Sequence, residues 1–307
     1  MADGTKIEWT DATWNPITGC SVVSPGCTNC YAMKWAGTRL KHHPSRAGLT
    51  RDSKAGPVWT GEVRFNPGWL DQPLRWKKPR MIFVCAHGDL FAEGVQDAWL
   101  DQIFAVMALA PQHTFQVLTK RPERMRDYLT CHRQELPGPM MAIIENARAM
   151  RPDDLYCLTE WPLPNVWLGV SVEDQKRAEE RIPILLETPA AIRWISAEPL
   201  LGPIYIPEFM PNPLWNSLKS WEQPTLDWIV AGGESGGDAR PMNPLWPRSL
   251  RDQCAAADIP YLFKQWGNFR PCSDANGPYM LRVTKAEAGR LLDGIEHNGF
   301  PEVSAHA

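Results

Sequence analysis

Six short apolar runs constrain the fold of this chain more than any other feature. Each is rich in β-branched or aromatic residues and ends in polar or charged ones: MIFVCAHGDLF (81–91), TFQVLTKRP (114–122), VWLGVSVED (166–174), IRWISAEPL (192–200), LDWIVAGGES (226–235) and PYLFKQWG (260–267). Unbroken apolar runs of this length suit strands buried on both faces, as in parallel sheets. Helical patterns lie between them. Residues 95–109 place Trp99, Ile103, Val106 and Met107 on one face, 173–187 carries a helix that Pro183 should kink or restart, and 247–257 starts with Pro247 in its first turn. Strand alternating with helix predicts a parallel α/β fold with right-handed connections. No glycine-rich dinucleotide fingerprint follows an early strand, so a complete or partial barrel is favoured over a doubly wound sheet. The run TWNPITG (13–19) reads as a further, first strand.

With 307 residues and 44% hydrophobic content, the chain can bury a sizeable core as one large domain or two ordinary ones. The expected division is a barrel over 1–283, with proline-rich insertions at 130–165 and 203–225, followed by a helical cap and tail over 284–307 closed by Gly294. A net charge of −3 gives no global attraction to nucleic acid or to an anionic membrane. No apolar run reaches the roughly 20 residues that span a bilayer. The acidic, polar start MADGTKIEWTD is unlike a leader, and the expected compartment is the reducing cytoplasm. There, eight cysteines are expected as thiols or metal ligands rather than disulfides.

Barrel enzymes place their chemistry at the C-terminal ends of the strands. Here those ends carry Asp89; Lys120 and Arg121; Ser171 and Glu173; Ser196 and Glu198; Gly232, Gly233, Glu234 and Ser235; and Lys264 and Gln265. Isolated polar residues at strand ends commonly solvate a loop or cap the next helix. Six such ends together predict a site for a zwitterionic ligand with ammonium, carboxylate and hydroxyl groups, since buried Glu and Lys are costly without partners. Lys120, Lys264 and Gln265, with the Cys85 thiol, are the candidate catalytic groups.

Cys20, Cys27 and Cys30 lie in NPITGCSVVSPGCTNCYA with spacing C-x6-C-x2-C. Gly19, Pro25 and Gly26 make this a loop, so three packed core thiols are a poor reading of it. A structural zinc wants four ligands, which here would take His42, His43 or a distant cysteine; the x2 half is an ordinary zinc spacing and the x6 half is loose. The other reading is a four-iron cluster on three thiolates, whose free iron chelates S-adenosylmethionine.

The run N-P-x-x-G-C…G-C-x-x-C-Y-A resembles the cluster loop of radical S-adenosylmethionine enzymes, nearest to spore photoproduct lyase and its relatives. Over nearly the full length the chain more closely resembles the phage-associated three-cysteine-motif family, through IEWTDATWNPITGC, HGDLF, FQVLTKRP, NVWLGVSVED, ISAEPLLGPI, DWIVAGGESG with ARPM, FKQWG and AGRLLDG. The resemblance implies a partial (β/α)6 barrel of the radical type, a [4Fe–4S] cluster and S-adenosyl-L-methionine. It implies Cys20, Cys27 and Cys30 as iron ligands and Asp89 at the methionyl amino group. Ser171 and Glu173 would lie near the ribose or carboxylate, with Ser196 and Glu198 at the adenosyl group or substrate. The loop departs from the common x3 spacing, Asn29 stands where an aromatic residue often precedes the last cysteine, and Cys85 replaces a polar residue.

Local charge points to the substrate class. Basic residues cluster at Lys34, Arg39, Lys41, Arg46, Arg51 and Lys54, at Arg75, Lys77, Lys78 and Arg80, and at Lys120, Arg121, Arg124 and Arg126. Interleaved Trp35, Trp59, Trp69 and Trp76 supply stacking rings. This predicts either a solvated basic face or a rim that tracks phosphates, with a nucleic-acid base or nucleotide as substrate. Cys85, Cys131, Cys157, Cys254 and Cys272 are candidate hydrogen-atom donors, and a flavodoxin or ferredoxin is the expected reductant. The competing expectation is a non-catalytic, zinc-stabilised nucleic-acid-binding protein, or an inactive barrel that keeps the loop for folding.

Overall fold

The computed structural model describes residues 4–131, 139–152, 160–209, 224–275 and 277–302. Cys157 and parts of both proline-rich insertions lie outside the described residues. The chain divides into two compact units, Met1–Gly169 with Glu187–Ala191, and Val170–Leu186 with Ile192–Ala307.

The first unit holds β1 (Ala12–Trp14), β2 (Ile17–Gly19), β3 (Thr50–Arg51), β4 (Val58–Trp59), β5 (Val63–Phe65), β6 (Met81–Val84), β7 (Thr114–Thr119) and the start of β8 (Val166–Ser171). Its helices are α1 (Tyr31–Gly37), α2 (Gln72–Arg75), α3 (Asp97–Ala108), α4 (Pro122–Thr130) and α5 (Met140–Met150). β1 runs parallel to β6 with Trp14 opposite Val84, and β6 runs parallel to β7 with Val84 opposite Val117. Phe115 N donates to Asn165 O at the entry to β8, and all six residues of β8 are buried. Both faces of these strands are therefore covered, as the unbroken apolar runs require. α3 buries Leu100, Ile103, Phe104, Val106 and Met107, while Trp99 stays half-buried and stacks on Phe65 at 5.4 Å.

The second unit holds the end of β8, β9 (Ile192–Ala197), β10 (Trp228–Gly232), β11 (Tyr261–Gln265), β12 (Phe269–Asp274) and β13 (Gly277–Arg282). Its helices are α6 (Gln175–Glu187), α7 (Leu245–Ala256) and α8 (Lys285–Ala288). β9, β10 and β11 are parallel neighbours, and Val172 N, just past β8, donates to Ser196 O of β9. β12 and β13 form an antiparallel hairpin.

All six apolar runs form strands, and β1 joins them in a seven-stranded sheet of order β1-β6-β7-β8-β9-β10-β11. The sheet thus has one strand more than a six-stranded barrel. The fold is mixed α/β on a parallel sheet.

Three local expectations need correction. TWNPITG is not one strand: its first half enters the parallel sheet, and after Pro16, which has no N–H to give a ladder, β2 turns away to pair antiparallel with β5. α6 runs through Pro183 without a break in its helical assignment. The C-terminal helix ends after one turn, because Thr284 and Glu287 form a capping box at its start and Gly289, at φ +69°, closes it. The chain beyond packs by other means: Leu292 is fully buried, Asn298 bridges Leu262, and Phe300 lies 5.1 Å from the Trp228 ring.

Candidate metal centre

The cysteine loop is set by glycines at the end of β2. Gly19 has φ +94°, and a Cβ there would sit 2.3 Å from the Glu62 carbonyl oxygen. Its N–H donates to His87 O at 3.2 Å, and Gly19 bridges Gly88 in parallel register. Cys20 therefore leaves the fold beside the loop that follows β6. The chain then makes a single 3-10 turn over Pro25–Cys27, with Cys27 N donating to Ser24 O. Cys30 sits at the start of α1 and accepts from Lys34 N. Ala32, Met33, Ala36, Leu49 and Trp59 form an apolar cluster, and both Cys20 and Cys30 pack against it.

Cys27 is buried, and the other two thiols are half-buried. Burial, then the Asp89 charge, pushes the Cys20 thiol up to about 12; Arg121 opposes this, while Cys30 and Cys27 add to it. Burial likewise raises Cys30, against which the nearby Lys120 charge works. The three thiols therefore lie within electrostatic reach of one another, with two cations beside them.

Arg121 ties this loop to the sheet. From the end of β7, its Nη1 donates to Cys20 Sγ at 3.5 Å and to Asp89 Oδ2 at 2.9 Å. Its Nε donates to Glu93 Oε1 at 2.9 Å and its Nη2 to Ser21 O at 3.3 Å. Asp89 is equally committed: Oδ1 accepts from Phe91 N and the Thr119 hydroxyl, and Oδ2 from Lys120 N and Arg121. The Arg121 and Asp89 side chains are each 7% exposed. Burial works against the Arg121 charge, but Asp89, Cys20 and Glu93 outweigh it and hold the guanidinium above its usual pKa. Arg121 is one of two basic residues at this strand end in the sequence, and the TKRP run is its only signal there.

In the second unit the candidate carboxylates each meet a base. Glu173 is buried and accepts from Arg181 at 3.1 Å, and Arg181 also donates to Ser171 O. Lys264 Nζ bridges both oxygens of Glu198 at 2.7 and 2.8 Å, and Gln265 Nε2 donates to Glu198 and to Gly233 O. Glu234, 6% exposed, is gripped by Arg240 through its backbone N–H, Nε and Nη2. A Cβ on Gly233 would fall 2.2 Å from Trp266 O, so this position requires glycine; Gly232 has ordinary room. Ser196 is buried within β9. The structure brings Cys20, Cys27, Cys30, Asp89 and Lys120 together in the first unit. It brings Glu198, Lys264, Gln265 and Gly233 together in the second, with Ser171 and Glu173 sharing Arg181.

Four further thiols lie among the described residues. Cys85 is buried at φ 59° and its pKa is raised by burial. Cys254 is buried on α7, Cys131 Sγ donates to Tyr128 O, and Cys272 is half-buried on β12. Trp59 belongs to the apolar cluster, so it is no stacking ring. Several basic residues of the expected rim are paired with acids: Lys41 with Asp52, Arg75 with Asp71, Arg124 with Asp97, and Arg126 with Glu187. Arg39 lies over Trp35 at 4.7 Å and Arg80 over Trp76 at 4.8 Å. His43 Nδ1 is hydrogen-bonded to the Ser45 hydroxyl. Among the described residues, no three His, Cys, Asp or Glu side chains stand in a group that would grip a single ion. No helix among them is long and apolar enough to cross a membrane.

Fold and site together define an α/β protein on a parallel sheet, with a three-thiol loop tied to the C-terminal ends of its first strands. The chain belongs to a family described as protein of unknown function (DUF5131), whose pattern matches residues 4–301. No curated protein and no solved structure matches it.

Proposed function

We propose that this protein is a radical S-adenosylmethionine enzyme that holds a [4Fe–4S] cluster on Cys20, Cys27 and Cys30 and acts on a nucleic-acid base or nucleotide. One observation carries the reading: three thiols share a loop that Arg121 ties to Asp89 and Glu93, with Lys120 beside it. The donor set fits the group, since a four-iron cluster on three thiolates keeps one iron open. A cluster held there would supply one electron to S-adenosylmethionine, whose S–C5′ bond would break to give methionine and a 5′-deoxyadenosyl radical.

The chain's own residues do the rest. Arg121 and Lys120 offset the negative charge that three thiolates bring into a partly buried site. Asp89 fixes the guanidinium and so positions Cys20. Glu173, Glu198 and Glu234 each carry a base of their own, so a zwitterionic ligand would bind them by exchange with those partners. In this reading the sheet is a partial barrel, and Ser171, Ser196, Gly232 and Gly233 are candidate cofactor-binding residues. Cys85 and Gln265 are its candidate catalytic groups with Lys120 and Lys264, and a flavodoxin or ferredoxin in the cytoplasm is the reductant. The Trp35–Arg39 and Trp76–Arg80 pairs support a nucleic-acid substrate, since stacked rings with cations suit bases and phosphates.

The test is anaerobic reconstitution of the full chain with iron and sulfide. The expected result is a brown protein with about four irons per chain that cleaves S-adenosylmethionine on reduction. Cys27→Ala should lose both properties while keeping its unfolding transition. One zinc per chain, unchanged by iron and sulfide, would overturn the reading.

A further inference from the structure

Arg46 is a buried cation that no carboxylate accompanies among the described residues. Its side chain is on the loop between α1 and β3 and only 5% exposed. One Nη donates to the Ser45 hydroxyl and the guanidinium lies 5.7 Å from the Trp69 ring centre, while Nε is buried without a hydrogen-bond partner. The ionisable groups bearing on it are Cys85 and Arg64. Cys85 is a thiol that burial keeps protonated, and Arg64, whose Nη2 donates to Ala47 O at 2.8 Å, adds a second positive charge. His87 is close enough for Arg46 to disfavour its charged form, and its Nδ1 is also buried without a partner.

A guanidinium does not shed its proton to escape burial, and a buried ion without a counter-charge is strongly destabilising. A cation–π contact recovers only part of that. Two guanidiniums and an imidazole thus bring two unused polar nitrogens, and among the described residues no acid pairs with Arg46 or His87. We propose that Arg46 and His87, backed by Arg64, form a binding site for a small oxyanion, a carboxylate or phosphoryl group. The oxyanion accepts from Arg46 Nε and meets His87 Nδ1, replacing the missing counter-charge. The site is independent of the cluster reading, because none of its residues ligates the metal.

The test uses the full chain without metal. Inorganic phosphate and acetate are titrated in separate arms against chloride at equal ionic strength, and the melting temperature is followed. One of the two oxyanions should raise it in proportion to log concentration, identifying the phosphoryl or the carboxylate class; Arg46→Met should abolish the rise. As a measurement that needs no variant, the same anion should slow hydrogen exchange of the 45–47 amides in the wild-type chain at least tenfold. Equal stabilisation of Arg46→Met, or no effect of either oxyanion beyond chloride, would overturn the proposal.

Discussion

Arg121→Met tests whether the cysteine loop is held by charge or merely by packing. The substitution keeps the aliphatic volume and removes every donor. It strands Asp89, whose side chain is 7% exposed, with three of its four donors left: Phe91 N, Lys120 N and the Thr119 hydroxyl. Removing one partner of a buried ion pair costs about 3–5 kcal/mol. Three surviving donors place the cost near the lower end, about 3 kcal/mol, which for a chain of this length is roughly 5 °C in melting temperature. Urea unfolding of the metal-free chain measures it. The double variant Asp89→Asn/Arg121→Met should lose less than the two single variants added together, because it removes the buried carboxylate charge along with its partner. Hydrogen exchange should locate the change: amides 21–24 exchange faster, while those of α3 keep their protection. A loss under about 1 kcal/mol, the range of exposed pairs, with unchanged exchange at 21–24, would refute the argument that Arg121 anchors the loop.

Two further outcomes follow from the same geometry. Gly19→Ala forces a Cβ to within 2.3 Å of Glu62 O at φ +94°, so it should destabilise the chain by at least about 2 kcal/mol in urea and speed alkylation of Cys20 by iodoacetamide; Gly88→Ala, whose nearest contact is 3.0 Å, should be milder. Burial, with Arg46 second, pushes His87 down to about 4 from 6.5, so its contribution to stability is complete above pH 6.5 and lost as pH falls towards 4; that is at most about 3 kcal/mol, and His87→Phe should flatten this part of the stability–pH curve.

The strands are legible in the sequence because burial on both faces leaves an unbroken apolar signature, as in VWLGVS, whose six residues are all buried. The helix 95–109 is legible for a similar reason, although its second half is buried nearly all round rather than on one face. What cannot be read is where local chemistry beats pattern. In TWNPITG the apolar spacing continues across Pro16, yet the missing N–H ends one ladder and frees the chain to begin another. In KAEAGRLLDG, Gly294 reads as the helix stop, but Gly289 takes the left-handed conformation first and ends the helix five residues earlier.

The long x6 gap shows the same limit at the site. Spacing alone makes the segment between Cys20 and Cys27 look slack. In the structure, Ser21 O accepts from Arg121 while its hydroxyl donates to Glu93, and Ser24 accepts from Cys27 N. The extra residues therefore span from the end of β2 to the 3-10 turn over Pro25–Cys27 with both ends held. Arg121 lies a hundred residues from Ser21, so no window of local sequence could reveal the contact. The polar ends of the strands are visible one by one; their pairing is not. A carboxylate read as a ligand group, such as Asp89 or Glu198, proves to spend its lone pairs on its own neighbours. Conversely Arg46, which reads as one charge in a solvated basic stretch, is a buried cation for which no described residue supplies a counter-charge. In a parallel α/β protein the informative groups are thus the ones whose valence the fold does not fill, and that accounting needs distances as well as residue types.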